Sequence, residues 1–506
     1  MGVKDIFAYD WTYLMPEITI LGFATILSIM DMIAGKRLNR TILGWFALVG
    51  IAIATYFVLD NVATLQEPYS YLFDTMRVDS FGNAFKLLFL TGVAFAILLS
   101  ISYIKESDEV KHTGEFYYLL LTGLLGAMVM ASSADLITLF VGLEILSLSS
   151  YILVGMRKKN LASNESAFKY VVTGSIATAI TLFGISYLYG FSGTTNLYEM
   201  TQRLAEAYHN GFGFMILIGF AFMIVGLTFK ISAIPNHMWA PDVYQGAATP
   251  VTAFLAVVSK SAGFALIIRV VILSFAGLFN PETQMSMFMD LLWYVSIIAA
   301  LSMIIGNTMA LRQTNIKRLM AYSGIAQAGY LLVPLVIFTQ SFIFEQTIFF
   351  LSAYLLAAFG TFAIIMVVTR DRKTEDLKAF AGLYHRAPLA AVAMTLFLLS
   401  LAGIPISAGF FGKFYIFLGA IGNGSFWLVG IMLATSVISY YYYFGIIRQM
   451  YMRPGETEAA LKLPAGVLVV VIVAALGTFV LGILPEILIN YIHDFFNPYF
   501  NLGDML

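Results

Sequence analysis

Residues 229–263 read FKISAIPNHMWAPDVYQGAATPVTAFLAVVSKSAG. Two apolar runs meet in this stretch, and each carries one lysine, Lys230 and Lys260. Between them Pro235 and Pro241 forbid one unbroken helix, because proline removes a backbone hydrogen bond and clashes with the preceding turn. An ionisable group at mid-membrane depth costs roughly 2.5–3.5 kcal/mol or more and marks an ion or proton path. Broken backbone at that depth is tolerated only where protein or water satisfies it. A stretch that combines both features belongs to an all-α polytopic membrane protein whose work is moving protons or cations.

The composition agrees. The 506 residues are 60% hydrophobic and only 11% charged, with mean hydropathy +0.86, whereas a soluble domain is about 25% charged. A net charge of −1 gives no bulk attraction to nucleic acid. The absence of cysteine excludes disulfides, iron–sulfur clusters and thiolate metal sites. Five scattered histidines suggest no haem or metal cluster, so no cofactor is expected on this chain. The first apolar run follows Lys4, Asp5, Asp10 and Trp11 and continues past signal length, so it reads as a true span and not as a cleaved signal peptide.

At about 20 residues per span, fourteen transmembrane helices are expected. They lie near 12–34, 41–59, 81–104, 116–132, 136–156, 166–190, 212–233, 250–275, 288–310, 318–338, 343–369, 388–420, 424–447 and 464–492; these are spans 1 to 14 below. The loops after odd-numbered spans hold Lys36, Arg37, Arg40, Lys105, Lys111, Arg157, Lys158, Lys159, Arg312, Lys317 and Arg318. They also hold Arg370, Arg372, Lys373, Lys378, Arg386, Arg448, Arg453 and Lys462. The other side has only Lys4, Arg77 and Arg203. Nineteen against three obeys the positive-inside rule, which places both termini on the outer side. Of the remaining cations, Lys86 and Lys169 lie near helix ends and are expected to snorkel to the headgroups, with Arg269 reaching outward in the same way.

Span 7 runs into Ser232-Ala233-Ile234-Pro235, and span 12 contains Leu401-Ala402-Gly403-Ile404-Pro405. Each reads small-x-Ile-Pro with a lysine nearby, Lys230 before the first proline and Lys413 after the second. Five spans separate the two breaks, so a repeat of spans 4–8 by spans 9–13 is inverted in the membrane. Paired broken helices in inverted repeats point to a translocation site. The expected organisation is a three-helix segment over 1–115, a first repeat over 116–276, a second over 277–448, and a terminal helix and tail over 449–506.

Glu144 lies eight residues into span 5, about 12 Å deep at 1.5 Å per residue. Its expected partner is Lys230, and relaxing that pair would change a proton affinity elsewhere. The competing readings are a static ion pair or a neutral glutamic acid bonding a neighbouring helix for Glu144, and snorkelling for Lys230. Lys260, flanked by Ser259, Ser261 and Gly263, suggests a hydrated pocket where a lysine can exchange its proton. Lys413 follows Gly409 and Gly412, small residues that let helices approach or water enter. His237 is a relay candidate, with a hydrogen-bonded structural histidine as the equal alternative. Asp242, between Pro241 and Val243, reads as a cap or turn. The run Tyr440 to Tyr443 supports no quinone site.

The stretch Pro235 to Phe254 resembles the signature of the antiporter-like subunits of respiratory complex I, in the form H-x-W-x-P-D-x-Y-x-G-A-x-T-P-V. The likeness covers essentially the whole chain. Lys230 and Lys260 match that family's lysines on helices seven and eight, Glu144 its glutamate on helix five, and Lys413 its lysine on helix twelve. Within the family the pattern is most similar to the N subunits: Tyr244 stands where L and M have a second histidine, and Lys413 where M has glutamate. The chain ends soon after span 14, unlike L. Ala248 departs from a proline in many relatives.

The resemblance implies proton translocation as a membrane-arm subunit of NADH:quinone oxidoreductase, partnered by the other membrane-arm subunits in a prokaryotic plasma membrane. Quinone is then the substrate of the complex and is not expected to bind here. It also implies an order: Glu144 modulates Lys230, and protonation passes to Lys260 and then to Lys413 for release outward. The alternatives are a subunit of a multi-subunit sodium/proton antiporter, which shares these lysines, and a structural anchor whose buried charges act as helix glue.

Overall fold

The computed structural model describes residues 9–34, 40–65, 67–106, 110, 113–280, 285–337, 343–455 and 459–496. Lys4, Lys36, Arg37 and Lys111, counted above for topology, lie outside the described residues.

Among the described residues, thirteen helices are long and apolar enough to cross a membrane, and the half-helices Pro388–Ala402 and Ala408–Gly422 together form the remaining, broken span 12. The fourteen spans occupy Met15–Ala34, Thr41–Thr64, Ser80–Glu106, Thr113–Ser132, Leu136–Val154, Leu161–Ser192, Gly213–Ile231, Thr249–Phe275, Met287–Ala310, Ile316–Ile337, Ile343–Arg372, the broken pair, Phe426–Met452 and Ala465–Ile483. An amphipathic helix, Leu197–Ala207, leads into span 7. Local signals set the ends. Asp135 caps span 5 by accepting from the backbone N–H groups of Ile137 and Thr138, and Asn160 caps span 6 through Ser163 N–H.

Both expected breaks are present. Span 7 ends at Ile231, and the chain is non-helical until Trp239–Gly246. Span 12 is interrupted over residues 403–407. Gly403 has φ +81°, and a Cβ there would lie 2.8 Å from Lys413 Cδ, so both its backbone conformation and its lack of a side chain are required. The last span is shorter than expected: Leu484-Pro485 stops it at Ile483, and a separate helix, Glu486–Phe496, follows.

Span 4 packs on span 5 as span 9 packs on span 10, and span 6 lies against span 7 as span 11 lies against both halves of span 12. These matching partnerships express the inverted five-helix repeats. Close approach comes from small residues in both halves: Gly126 faces the Gly142 carbonyl, and Gly329 faces that of Ala299. Span 8 lies at the centre, buried at every residue from Thr249 to Phe275. Spans 2, 6 and 13 turn Trp45, Phe168 and Val437 outward, as lipid contact requires.

Two expectations about charge fail. Lys86 does not snorkel: it is fully buried, with Nζ 2.7 Å from Glu17 Oε1 on span 1. Arg269 does not reach outward either. It donates two 2.8 Å hydrogen bonds to Asp79 and one of 2.5 Å to the Ala131 carbonyl. In each case the partner is an acid distant in sequence, whose opposite charge offsets part of the desolvation without reaching the headgroups. Lys169 is half-exposed and is held between Glu165 and Asp242.

Candidate functional site

Span 5 begins at Leu136, and its rise carries Glu144 into the bundle, where it is half-buried and accepts a 3.0 Å hydrogen bond from Thr178 Oγ1 of span 6. Lys230, the penultimate residue of span 7, is only 4% exposed. Its ammonium donates to Ser147 Oγ at 3.1 Å. The expected direct ion pair with Glu144 is therefore absent. Ser147 and Glu144 are three residues apart on one face of span 5, so the lysine binds one turn beyond the carboxylate and feels its charge at a distance. Across the next interface a Cβ at Gly263 would lie 3.1 Å from Lys230 Cγ, so Lys230 rests against span 8 within one turn of Lys260.

Lys260 follows a single π-helical turn, Leu255–Ser259. Such a turn inserts an extra residue, re-aims the side chains after it, and is frequent at functional sites. The ammonium donates to the Gly324 carbonyl of span 10 at 2.6 Å and lies 5.8 Å from the ring centroid of Tyr354. Gly324 leaves room for this contact: a Cβ would stand 2.9 Å from Lys260 Nζ and 3.4 Å from the Tyr354 hydroxyl, and the ammonium would have to shift.

Lys413, on the outgoing half of span 12, donates to the carbonyls of Leu401 (3.0 Å) and Ala402 (3.1 Å). Those are the last carbonyls of the incoming half, where a helix terminus attracts positive charge. The ammonium also lies 4.7 Å from the Tyr330 ring centroid. The break in span 12 thus supplies the acceptors that hold the lysine at depth.

His237 is half-buried in the span 7 break, and its Nδ1 lies 3.2 Å from the Pro235 carbonyl oxygen. The structure brings it against none of the three lysines. Asp242 is more than a turn residue. It accepts from Lys169 at 2.7 Å and from Arg318, and so joins span 6 to span 10. Burial opposes its charge, but these two cations outweigh it and hold the carboxyl below its ordinary range. Among the described residues no group of His, Asp and Glu is arranged to hold a metal ion.

Residues that charge-based reading overlooks lie between Lys260 and Lys413. Gln327 Nε2 donates at 3.0 Å to the same Leu401 carbonyl that Lys413 uses. Ser323 and Tyr443 touch through their hydroxyls at 2.5 Å. Tyr442 donates to Asn307 at 2.9 Å, and Asn307 donates to the Tyr330 hydroxyl at 3.3 Å. For three of them the signal is spacing: Ser323, Gln327 and Tyr330 fall at i, i+4 and i+7 on one face of span 10.

Comparison with known proteins accords with this geometry. The family described as NADH:quinone oxidoreductase/Mrp antiporter, TM, matches residues 133–439, from just before span 5 to the middle of span 13. A protein of Brevibacillus brevis (strain 47 / JCM 6285 / NBRC 100599) named NADH-quinone oxidoreductase subunit N is 63% identical over 507 residues, covering 100% of this chain and 99% of that one. A chain in the structure of respiratory complex I from Thermus thermophilus with bound aureothin superposes with TM-score 0.77 at 30% identity, over 94% of this chain and 98% of that one. A chain of the Mrp complex from Dietzia sp. DQ12-45-1b shares the fold, with TM-score 0.83 at 16% identity over 96% of this chain and 97% of that one. In sequence along its whole length and in the architecture of its two broken-helix repeats, this multi-pass membrane protein belongs to the NADH-quinone oxidoreductase subunit N family of antiporter-like subunits.

Proposed function

We propose that the chain translocates protons as subunit N of the membrane arm of an NADH:quinone oxidoreductase. Quinone is reduced on other subunits, and the coupling reaches this one through Glu144, Lys230, Lys260 and Lys413. One observation carries the reading. Lys260 and Lys413 are buried cations whose ammonium groups donate to neutral backbone carbonyls and have no carboxylate partner among the described residues. A structural lysine at this depth is normally locked by an acid, as Lys86 is by Glu17. Carbonyls hold the ammonium in place yet leave the lysine able to give up its proton, because no counter-charge fixes it.

Glu144 sets the field felt by Lys230, Lys230 lies within a turn of Lys260 across span 8, and Lys413 terminates the line at the break in span 12. Protonation passes along that order. The face that gathers the basic loops is the cytoplasmic one in a prokaryotic plasma membrane, with both termini outside. Residues 1–115 form a supporting three-helix segment, 116–276 and 277–448 the two repeats, and 449–506 the terminal helix and tail. No redox group is carried by this chain.

The fold shared with an Mrp complex favours one second reading, a subunit of a sodium/proton antiporter. Neighbouring genes encoding quinone-site and iron–sulfur subunits would decide for the oxidoreductase, and their absence for the antiporter. The direct test is Lys413→Ala in the native complex, reconstituted in sealed vesicles. A fully assembled complex that no longer takes up protons supports the reading. An assembled complex that pumps normally reduces Lys413 to helix glue.

A further inference from the structure

Span 10 is almost wholly buried, yet it sets Ser323, Gln327 and Tyr330 on one face. Span 13 answers with Thr435, Ser439, Tyr442 and Tyr443 at i, i+4, i+7 and i+8, each at most 4% exposed. The two stripes meet antiparallel: Ser323 contacts Tyr443 at 2.5 Å, and further along Tyr330 contacts Thr435 at 3.0 Å. Tyr442 and Tyr443 lie side by side with ring centroids 4.4 Å apart, and both phenols interact with Ser323. Asn307 of span 9 then joins Tyr442 to Tyr330.

Each end of this cluster lies at a lysine. Ser323 precedes Gly324, whose carbonyl takes the Lys260 ammonium. Tyr330 presents its ring to Lys413, and Gln327 shares an acceptor with that lysine. Burying so many hydroxyls in the core of a membrane bundle is costly unless they are satisfied. Here they satisfy one another in a line between the two cations.

We propose that Ser323, Tyr443, Tyr442 and Tyr330 form a hydroxyl relay that carries the proton between Lys260 and Lys413, with Asn307 and Gln327 aligning it. The proposal deepens the proton-translocation reading above and rests on it. Each hydroxyl accepts a proton on its oxygen as it releases its own, with water closing the steps between them. One proton leaves the Lys260 ammonium and one arrives at the neutral Lys413 amine; the hydroxyls end unchanged, with their hydrogen bonds reversed. Asn307 and Gln327 are positioning residues: their amides orient the phenols and the Leu401 carbonyl and release no proton themselves.

The test uses Tyr443→Phe and Tyr442→Phe in the complete complex in sealed vesicles, beside Lys260→Ala, with assembly, donor oxidation and proton uptake read together. Phenylalanine keeps the ring packing and removes only the hydroxyl. The relay predicts an assembled complex with the same loss of proton uptake as Lys260→Ala. If a tyrosine variant does not assemble, Ser323→Ala removes a relay hydroxyl at less volume and reads the same loss. Normal uptake in these variants while Lys260→Ala abolishes it would overturn the relay and leave the translocation reading standing. Normal uptake in Lys260→Ala itself would remove that reading and the relay with it.

Discussion

The Lys260 ammonium sits 2.6 Å from the carbonyl oxygen of Gly324, a residue 64 positions away on a different span. Gly324, with no side chain, leaves room for the ammonium, and the π-helical turn at Leu255–Ser259 immediately precedes the lysine. Gly324→Ala places a Cβ 2.9 Å from Nζ, so the ammonium must move. Proton uptake in vesicles should fall on the order of tenfold or more, as when a proton-transfer group is displaced, with assembly preserved. Unchanged uptake would show that the position of the ammonium does not matter.

In the proposed path Glu144 acts on Lys230 by its charge, since the lysine bonds Ser147 and not the carboxylate. Glu144→Gln keeps an acceptor for Thr178 Oγ1 and removes only that charge. Pumping should slow while the complex assembles normally, and Thr178→Val, which leaves the charge in place, should slow it less. Equal and wild-type rates in both variants would remove Glu144 from the path.

Lys86 and Glu17 make a buried pair at 2.7 Å outside the repeats. Removing one partner leaves an uncompensated charge, so Glu17→Ala should destabilise the protein by about 3–5 kcal/mol, whereas Glu17→Leu with Lys86→Met should be near neutral. Thermal unfolding of the purified complex reads both. Loss of pumping in a stable double variant would instead make the pair a station.

Asp242 ties the segment after the span 7 break to Lys169 and Arg318. Its folded carboxyl lies below the ordinary value of 3.8, so its contribution to stability is complete above that value and is lost as pH falls below it. In acid unfolding, Asp242→Asn should therefore be less stable than wild type at neutral pH, with the difference closing below pH 3.8. A difference that does not close with acidification would remove the carboxylate as its cause.

The spans were legible because each is an apolar run of membrane length. Lys230, Lys260, Lys413 and Glu144 were legible for a simpler reason: a charge inside an apolar run stands out without knowledge of its neighbours. Partnerships were not legible. Glu17 with Lys86 and Asp79 with Arg269 join residues 69 and 190 positions apart, and only packing decides between pairing and snorkelling. Lys230 finding Ser147 instead of Glu144 turns on a single helical turn. The run Tyr440 to Tyr443 suggested no site, and the burial of Tyr442 and Tyr443 against span 10 appears only in the assembled bundle. Span 14 was expected to reach residue 492 because the apolar run continues past Pro485, yet the helix stops at Ile483.

The most direct measurement is Lys260→Ala in the native complex, reconstituted into sealed vesicles, with donor oxidation and proton uptake followed together after assembly is verified. The account predicts an assembled complex that has lost proton uptake and, with it, coupled donor oxidation. Normal turnover with normal proton uptake would contradict the account and leave Lys260 a buried structural charge.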